Sequence, residues 1–297
     1  MSRSYSTARS SGNAGHACDS APYDMHRSMI PTRRNLIAMT RIASRFAVIL
    51  SLLFGGPGRS GADAADSSKG SADPGMRVLF LGNSLTAAND LPLIVKALAR
   101  AGGQDLQVDS VTLGGANLED LWNDGQALRA IDRGTAKGKW NVVVLQQGPS
   151  SLLESQIDLR KWTRRFAARI RKQGARPALY MVWPPKNRLA YFDQVSQSYS
   201  LAAADVQGLL FPAGETWRAA WRRDPQAPLY SFDDFHPSAA GSYAAALSIY
   251  GMLFHQAPRG LPARLELGGG QTIDIPPALA TLLQEAATEA NQKSGRP

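Results

Sequence analysis

The stretch Arg77–Asp90, RVLFLGNSLTAAND, decides how the chain is read. An apolar run, Val78 to Leu81, ends in Gly82-Asn83-Ser84, and polar residues follow. A short apolar run bounded by turn residues fits a strand buried on both faces, and such strands belong to parallel sheets covered by helices. Taken alone, Ser84 reads as the N-cap of a following helix. In an open parallel sheet, however, a residue just past a strand's carboxyl end stands where ligands bind. The rest of the sequence decides between capping and chemistry.

Downstream, β-rich apolar runs alternate with amphipathic stretches. Residues 76–82, 106–115, 140–148, 177–183 and 209–214 read as strands. Residues 92–103, 117–131, 159–174, 191–208 and 238–256 have helical spacing. Asp90 and Pro92 look like the start of the first helix, which leaves Ser84 free of capping. This alternation predicts a three-layer α/β/α sandwich with a parallel sheet of about five strands. Residues 263–275 fit a small hairpin and 277–292 a last amphipathic helix. In the basic helix, Trp162, Phe166 and Ile170 recur at i, i+4 and i+8 and are expected to face the core, with its seven cations solvated.

The residues upstream read differently. Arg33, Arg34, Arg41 and Arg45 precede the apolar FAVILSLLFGG, and small residues Ala62 and Ala64 follow. Basic, then short apolar, then small is the order of a secretory signal peptide, with cleavage expected near Ala64. Thr32–Ile37, TRRNLI, also resembles a twin-arginine export signal. The polar residues ahead of Ile30 fit a translation start at Met25, Met29 or Met39. The expected organisation is therefore an extension and signal over 1–64, a flexible lead-in over 65–75 and one domain over 76–297. The exported protein is expected to be periplasmic or extracellular, with no membrane span.

Cleavage changes the chemistry on offer. Cys18 is the only cysteine and lies in the part removed, so disulfides, a thiol nucleophile and thiolate metal sites are excluded from the mature chain. Of 33 basic and 24 acidic residues, eight and three precede residue 65, so the net charge falls from +9 to +4. That balance gives no support to nucleic-acid binding. No His or Cys cluster suggests a catalytic metal, and no cofactor is expected.

The expected strand ends carry Gly82-Asn83-Ser84, Gly114-Gly115-Ala116-Asn117, Gln146-Gln147-Gly148 and Trp183-Pro184-Pro185. The loop before the last core helix, YSFDDFHPSAAG, holds Asp233, Asp234 and His236. Each has an ordinary role in turns or strand ends. The histidine count sharpens the reading, because only His236 and His255 follow the signal. His255 ends an apolar helix, where it can serve the last carbonyls. His236 stands three residues after Asp233, in a loop able to reach the sheet edge. Serine chemistry needs such a base and such an orienting carboxylate. Ser84 N–H, Gly115 N–H and the amide of Gln146 or Gln147 would face an oxyanion.

These residues resemble the SGNH (GDSL-like) hydrolase superfamily. Gly82-Asn83-Ser84-Leu85 is similar to its first block, Gly-Asp-Ser-Leu, with Asn for Asp; Gly115 resembles the second-block glycine, and Asp233-Asp234-Phe235-His236 the final Asp-x-x-His. The blocks span about 76–256, and VWPPKNRLAYF, GETWRAAW and HPSAAGSYAAALSIYGMLF resemble a secreted bacterial branch. The third block departs from the pattern: Leu145–Ser150, LQQGPS, stands where Gly-x-Asn-Asp is usual. A Gln-Gly pair at this strand end is similar to esterases of the sialate O-acetylesterase type, which favours Gln147 over Gln146. The resemblance implies an esterase with Ser84 as nucleophile, His236 as base and Asp233 as orienter. Export, the Gln-Gly resemblance and Trp183 at the site edge, a sugar-stacking surface, favour an O-acetyl or other short acyl ester on a carbohydrate, with Asn83 also at the substrate edge. The alternatives are a lipase or thioesterase on longer chains and a non-catalytic glycan-binding module. No Gly-x-Ser-x-Gly elbow and no Gly-x-Gly-x-x-Gly after the first strand point to α/β-hydrolase or dinucleotide chemistry.

Overall fold

The computed structural model describes residues 75–136 and 138–295. The expected signal peptide and cleavage point, Cys18 and the expected lead-in up to residue 74 lie outside the described residues. Among the described residues no helix is long and apolar enough to cross a membrane.

Five strands form one parallel sheet in the order β2-β1-β3-β4-β5. They are β1 (Met76–Gly82), β2 (Leu106–Thr112), β3 (Val142–Leu145), β4 (Arg176–Tyr180) and β5 (Leu209–Phe211). The central strands are the continuous apolar runs: Val78–Leu81 and Val143–Leu145 are buried on both faces, as a sheet covered on two sides requires. Edge strand β2 is buried only at Leu106 and is otherwise partly or fully open. Between strands run α1 (Ser84–Ala87), α2 (Leu91–Ala101), α3 (Leu118–Asp124), α4 (Gln126–Arg133), α5 (Leu153–Lys172) and α6 (Phe192–Asp205). After β5 come α7 (Ala213–Arg223) and α8 (Ala239–Phe254), then the hairpin β6 (Arg264–Gly268) and β7 (Gln271–Asp274), and α9 (Pro277–Lys293). Helices α2, α7, α8 and α9 pack together in one layer, and α3 to α6 in the other. Right-handed crossovers account for this split.

The strands are shorter than the apolar runs suggest, because Gln146 and Trp183 already lie in loops. Residues 117–131 form two helices, not one. Gly125 sits at φ +76, closing α3 and opening α4, a conformation glycine adopts without strain. Helix α5 begins six residues before the expected start at 159, since its first turns face solvent through Leu153 and Ile157. Trp162, Phe166 and Ile170 are buried as expected. The basic face is less solvated than expected: Arg160 and Arg164 pair with Asp205, and Arg169 with Asp132. Helix α7 has no counterpart in the sequence reading. Its buried face consists largely of Ala213, Gly214, Ala219 and Ala220 around Trp217, which gives little periodic contrast.

The C-terminal helix is held by charge as well as packing. Glu289 on α9 accepts from Arg222 and Arg223 of α7 at 2.7 and 2.6 Å and from Lys293 at 2.7 Å. Hydrogen bonding from Lys293 first, then from Arg223 and Arg222, lowers its carboxyl to about 2. A lowered carboxyl stabilises the fold above its ordinary value of 4.5, and this contribution is lost as pH falls from there toward about 2. Glu289→Gln is expected to cost about 1 kcal/mol at neutral pH. Most of that difference should vanish in urea titrations near the bottom of the window.

Candidate active site

Strand order reverses at β1, which lies between β2 and β3, so loops leaving β1, β2 and β3 open at the switch point. There Ser84, Gly115, Gln147 and Phe235 share the lining of a pocket of about 270 Å³. The sheet delivers the nucleophile candidate from one side, and α8 delivers the loop with Asp233 and His236 from the other.

The Ser84 hydroxyl donates to His236 Nε2 at 2.8 Å, and His236 Nδ1–H donates to Asp233 Oδ2 at 2.5 Å. This direction follows from an ionised Asp233, which makes Nδ1 the protonated nitrogen. Asp233 Oδ1 accepts from Ser231 Oγ, Phe235 N and His236 N at 2.9, 3.1 and 2.9 Å. The His236 side chain first, then the two backbone donors and Ser231, hold its carboxyl well below the usual carboxylate range. Asp234 does a different job: it pairs with Lys186 on the far side of the loop.

Ser84 does not cap a helix. Asn83 does, with its Oδ1 accepting from Leu85 N at 3.0 Å. Asp90 occupies the position before α2, but in a left-handed conformation with no side-chain cap bond. Asn83 shares the pocket lining, but its side-chain hydrogen bonds are committed inward. It is buried, and its Nδ2 donates inward to Ala116 O at 2.9 Å. A carboxylate could accept from Leu85 N but could not make that second bond, which accounts for Asn in place of Asp.

The two glutamines separate cleanly. Gln146 Oε1 accepts from Asn83 N at 2.9 Å and Thr86 Oγ1 at 2.6 Å, while its Nε2 donates to Asn83 Oδ1 at 2.9 Å and Gln147 O at 2.6 Å. All four bonds of a fully buried amide are thus made internally, and Gln146 cannot serve an oxyanion. Instead it ties the end of β3 to the turn carrying Ser84. Gly82 leaves room for it, since a Cβ there would stand 2.4 Å from Gln146 Oε1 and 2.3 Å from Thr86 Oγ1. Gln146→Leu would orphan Asn83 N–H and Thr86 O–H, so we expect a loss of about 2–4 kcal/mol in urea unfolding.

Gln147 lines the pocket. Its Oε1 accepts from Leu118 N at 3.1 Å, and its Nε2 donates one hydrogen to Ser150 Oγ at 2.8 Å, leaving a second. Ser84 N–H and Gly115 N–H find no acceptor among the described residues. Gly115 holds φ +70 with open space where a side chain would be. Three donors therefore border the pocket with the Ser84 hydroxyl.

Trp183 is not at the site edge. It is fully buried, stacked on Trp217 with ring centroids 3.4 Å apart, and its Nε1 donates to Phe235 O at 3.1 Å. It supports the loop that carries His236. His255 takes the left-handed position closing α8, away from the pocket lining.

Sequence reasoning missed Tyr199, whose hydroxyl donates to Gln147 O at 2.6 Å and accepts from Gln147 N at 3.3 Å. Its neighbours in sequence carried no signal of this. Ser150, at φ 56, was equally silent. For Asn117 the sequence does hold a signal, Asn-x-x-Asp: with Asp120 it forms a capping box at the start of α3. Among the described residues no group of three or more His, Cys, Asp or Glu is placed to hold a metal ion.

No protein-family model matches the chain, nor does any curated protein. Solved structures do. A DUF4886 family protein from Bacteroides uniformis is 21% identical over 72% of this chain and 94% of its own, with a TM-score of 0.56. A candidate SGNH hydrolase from Slackia heliotrinireducens is 28% identical over 60% of this chain and 99% of its own, with a TM-score of 0.49. Many structural neighbours are SGNH/GDSL-like hydrolases. The five-stranded parallel sheet between two helical layers is consistent with the three-layer α/β/α fold of SGNH hydrolases. In that fold's terms, the chain keeps a five-stranded parallel sheet and places its Gly-Asn-Ser-Leu turn at the end of the strand where the order reverses.

Proposed function

We propose that this SGNH-fold protein is an exported serine esterase that hydrolyses a short acyl ester, an O-acetyl group on a carbohydrate, through an acyl-Ser84 intermediate. The observation that carries the reading is the continuous chain from Ser84 Oγ through His236 to Asp233. His236 Nε2 takes the hydroxyl proton as Oγ attacks the ester carbonyl, and Asp233 steadies the imidazolium. Ser84 N–H, Gly115 N–H and Gln147 Nε2 stabilise the oxyanion. Collapse breaks the ester C–O bond, and His236 returns the proton to the departing alcohol. Water, deprotonated by His236, then releases the acid and restores Ser84. The small pocket of about 270 Å³ supports a short acyl group, and the basic-apolar-small order of residues 33–64 supports export.

A fluorophosphonate probe tests the class. We expect one adduct by intact mass, and none on Ser84→Ala. Equal labelling of both proteins, or none on either, would sink the reading and favour a non-catalytic glycan-binding module. Gln147→Leu is expected to lower kcat about 10²–10³-fold, with KM little changed.

One observation favours a second reading, an ester with a longer acyl chain. Leu113, Leu152, Leu153 and Ile157 are 42%, 50%, 66% and 58% exposed. They lie in the same segments that bring Gly115, Ser150, Ser155 and Asp158 to the pocket. Faster turnover of p-nitrophenyl octanoate than of the acetate would select this reading.

A further inference from the structure

A larger hollow lies on the other side of the loop that carries Asp233 and His236. It measures about 590 Å³, and its lining includes Lys186, Leu189, Trp221, Tyr230, Phe232 and Asp234. Its aromatic floor is fixed from behind. Tyr230 donates its hydroxyl to Pro184 O at 2.5 Å, and Trp221 Nε1–H donates to Ala227 O at 3.2 Å. Both rings stand edge-on to Trp217, at 80° and 83°, and lie 5.6 Å from each other. With their polar atoms occupied in the interior, these rings offer a ligand only carbon faces and edges. Phe232, the residue before Asp233, is fully exposed.

The rim is polar. Lys186 Nζ pairs with Asp234 Oδ1 at 3.0 Å, and both side chains are more than half exposed. Asp234 holds φ 56, and its carbonyl accepts from Lys186 N at 2.9 Å, so the charged pair is braced by the backbone.

We propose that this hollow is a carbohydrate subsite that takes a neutral pyranose ring. A pyranose presents apolar C–H faces and hydroxyls around its edge. Fixed aromatic carbon with one donor and one acceptor at the rim matches both, in the usual pattern of an apolar pocket with few convergent polar groups. A fatty chain matches less well, because covering Lys186 and Asp234 would remove their water and supply no hydrogen bond in return. The stacking surface expected of Trp183 is thereby assigned to Trp221, Tyr230 and Phe232. The subsite rests on the esterase reading only for its purpose, which is to hold the sugar of the ester beside the loop carrying His236. Binding itself does not require Ser84 chemistry.

The test uses the full chain with Ser84→Ala, incubated on an array of neutral di- to hexasaccharides. We expect retention on at least one glycan. Phe232→Ala with Lys186→Ala, added to that background, should weaken it at least about tenfold, the equivalent of one ring contact and one rim hydrogen bond. Both changed side chains are exposed, so folding is checked by circular dichroism with no change expected. No retained glycan, equal retention by the variant, or displacement of the glycan by octanoate would overturn the subsite. Failure of the esterase reading would appear instead as absent p-nitrophenyl acetate turnover in wild type, with the array result still readable.

Discussion

Ser84→Ala is expected to lower kcat for p-nitrophenyl acetate by about 10⁵–10⁶, the scale seen when a serine nucleophile is removed from a working triad. The substitution deletes one hydroxyl whose hydrogen bond runs to His236 Nε2 at 2.8 Å. It leaves Asn83 capping α1, Gln146 bracing the turn and the backbone N–H of position 84 in place. Stability should therefore change by less than about 1 kcal/mol, and KM should stay near that of the wild type. Residual catalysis over water is expected, because the oxyanion donors remain. A variant whose turnover matches wild type would place the nucleophile elsewhere.

Asp233→Asn is expected to cost about 10⁴ in kcat. An asparagine oxygen can still accept from Ser231 Oγ, Phe235 N and His236 N, so the loop keeps its shape. The amide NH₂ then faces His236 Nδ1, which must accept. The imidazole proton moves to Nε2, and Nε2 can no longer take the proton of Ser84. The wild-type carboxyl titrates well below the usual range, chiefly through its bond to His236, so Asp233 stays ionised through mildly acidic conditions. Its contribution to stability is present above the ordinary carboxylate value and fades only as pH falls below it. Urea unfolding should therefore distinguish Asn from Ala at 233: Ala orphans three donors, and Asn does not. If Asn loses as much stability as Ala while activity survives, Asp233 is a loop organiser only.

The parts of the molecule that were legible in sequence are those where one physical demand dominates. Val78–Leu81 and Val142–Leu145 read as central strands because burial on both faces leaves no polar position. That Ser84, Asp233 and His236 come together was legible because the proton relay they would form accepts few residue types, and His236 is one of two histidines among the described residues. The resemblance to the SGNH hydrolases rested on the same residues, and the fold agrees with it. What was not legible depends on direction. Nothing in LQQGPS distinguishes an inward glutamine from one at a pocket; β3 must end at Leu145 for Gln146 to meet Asn83. Trp183 read as a surface ring because strand ends are often exposed, but its partner Trp217 sits on a helix with no clear apolar stripe.

That tryptophan pair also gives the molecule an optical gauge. Two indoles stacked 3.4 Å apart at 12° share their ultraviolet transitions, and the resulting circular-dichroism couplet depends on their spacing. Trp183 Nε1 grips Phe235 O, one residue from His236. Any event that lifts that loop must let go of the indole first. The far-ultraviolet couplet is therefore expected to report, without an added label, whether His236 is seated over Ser84.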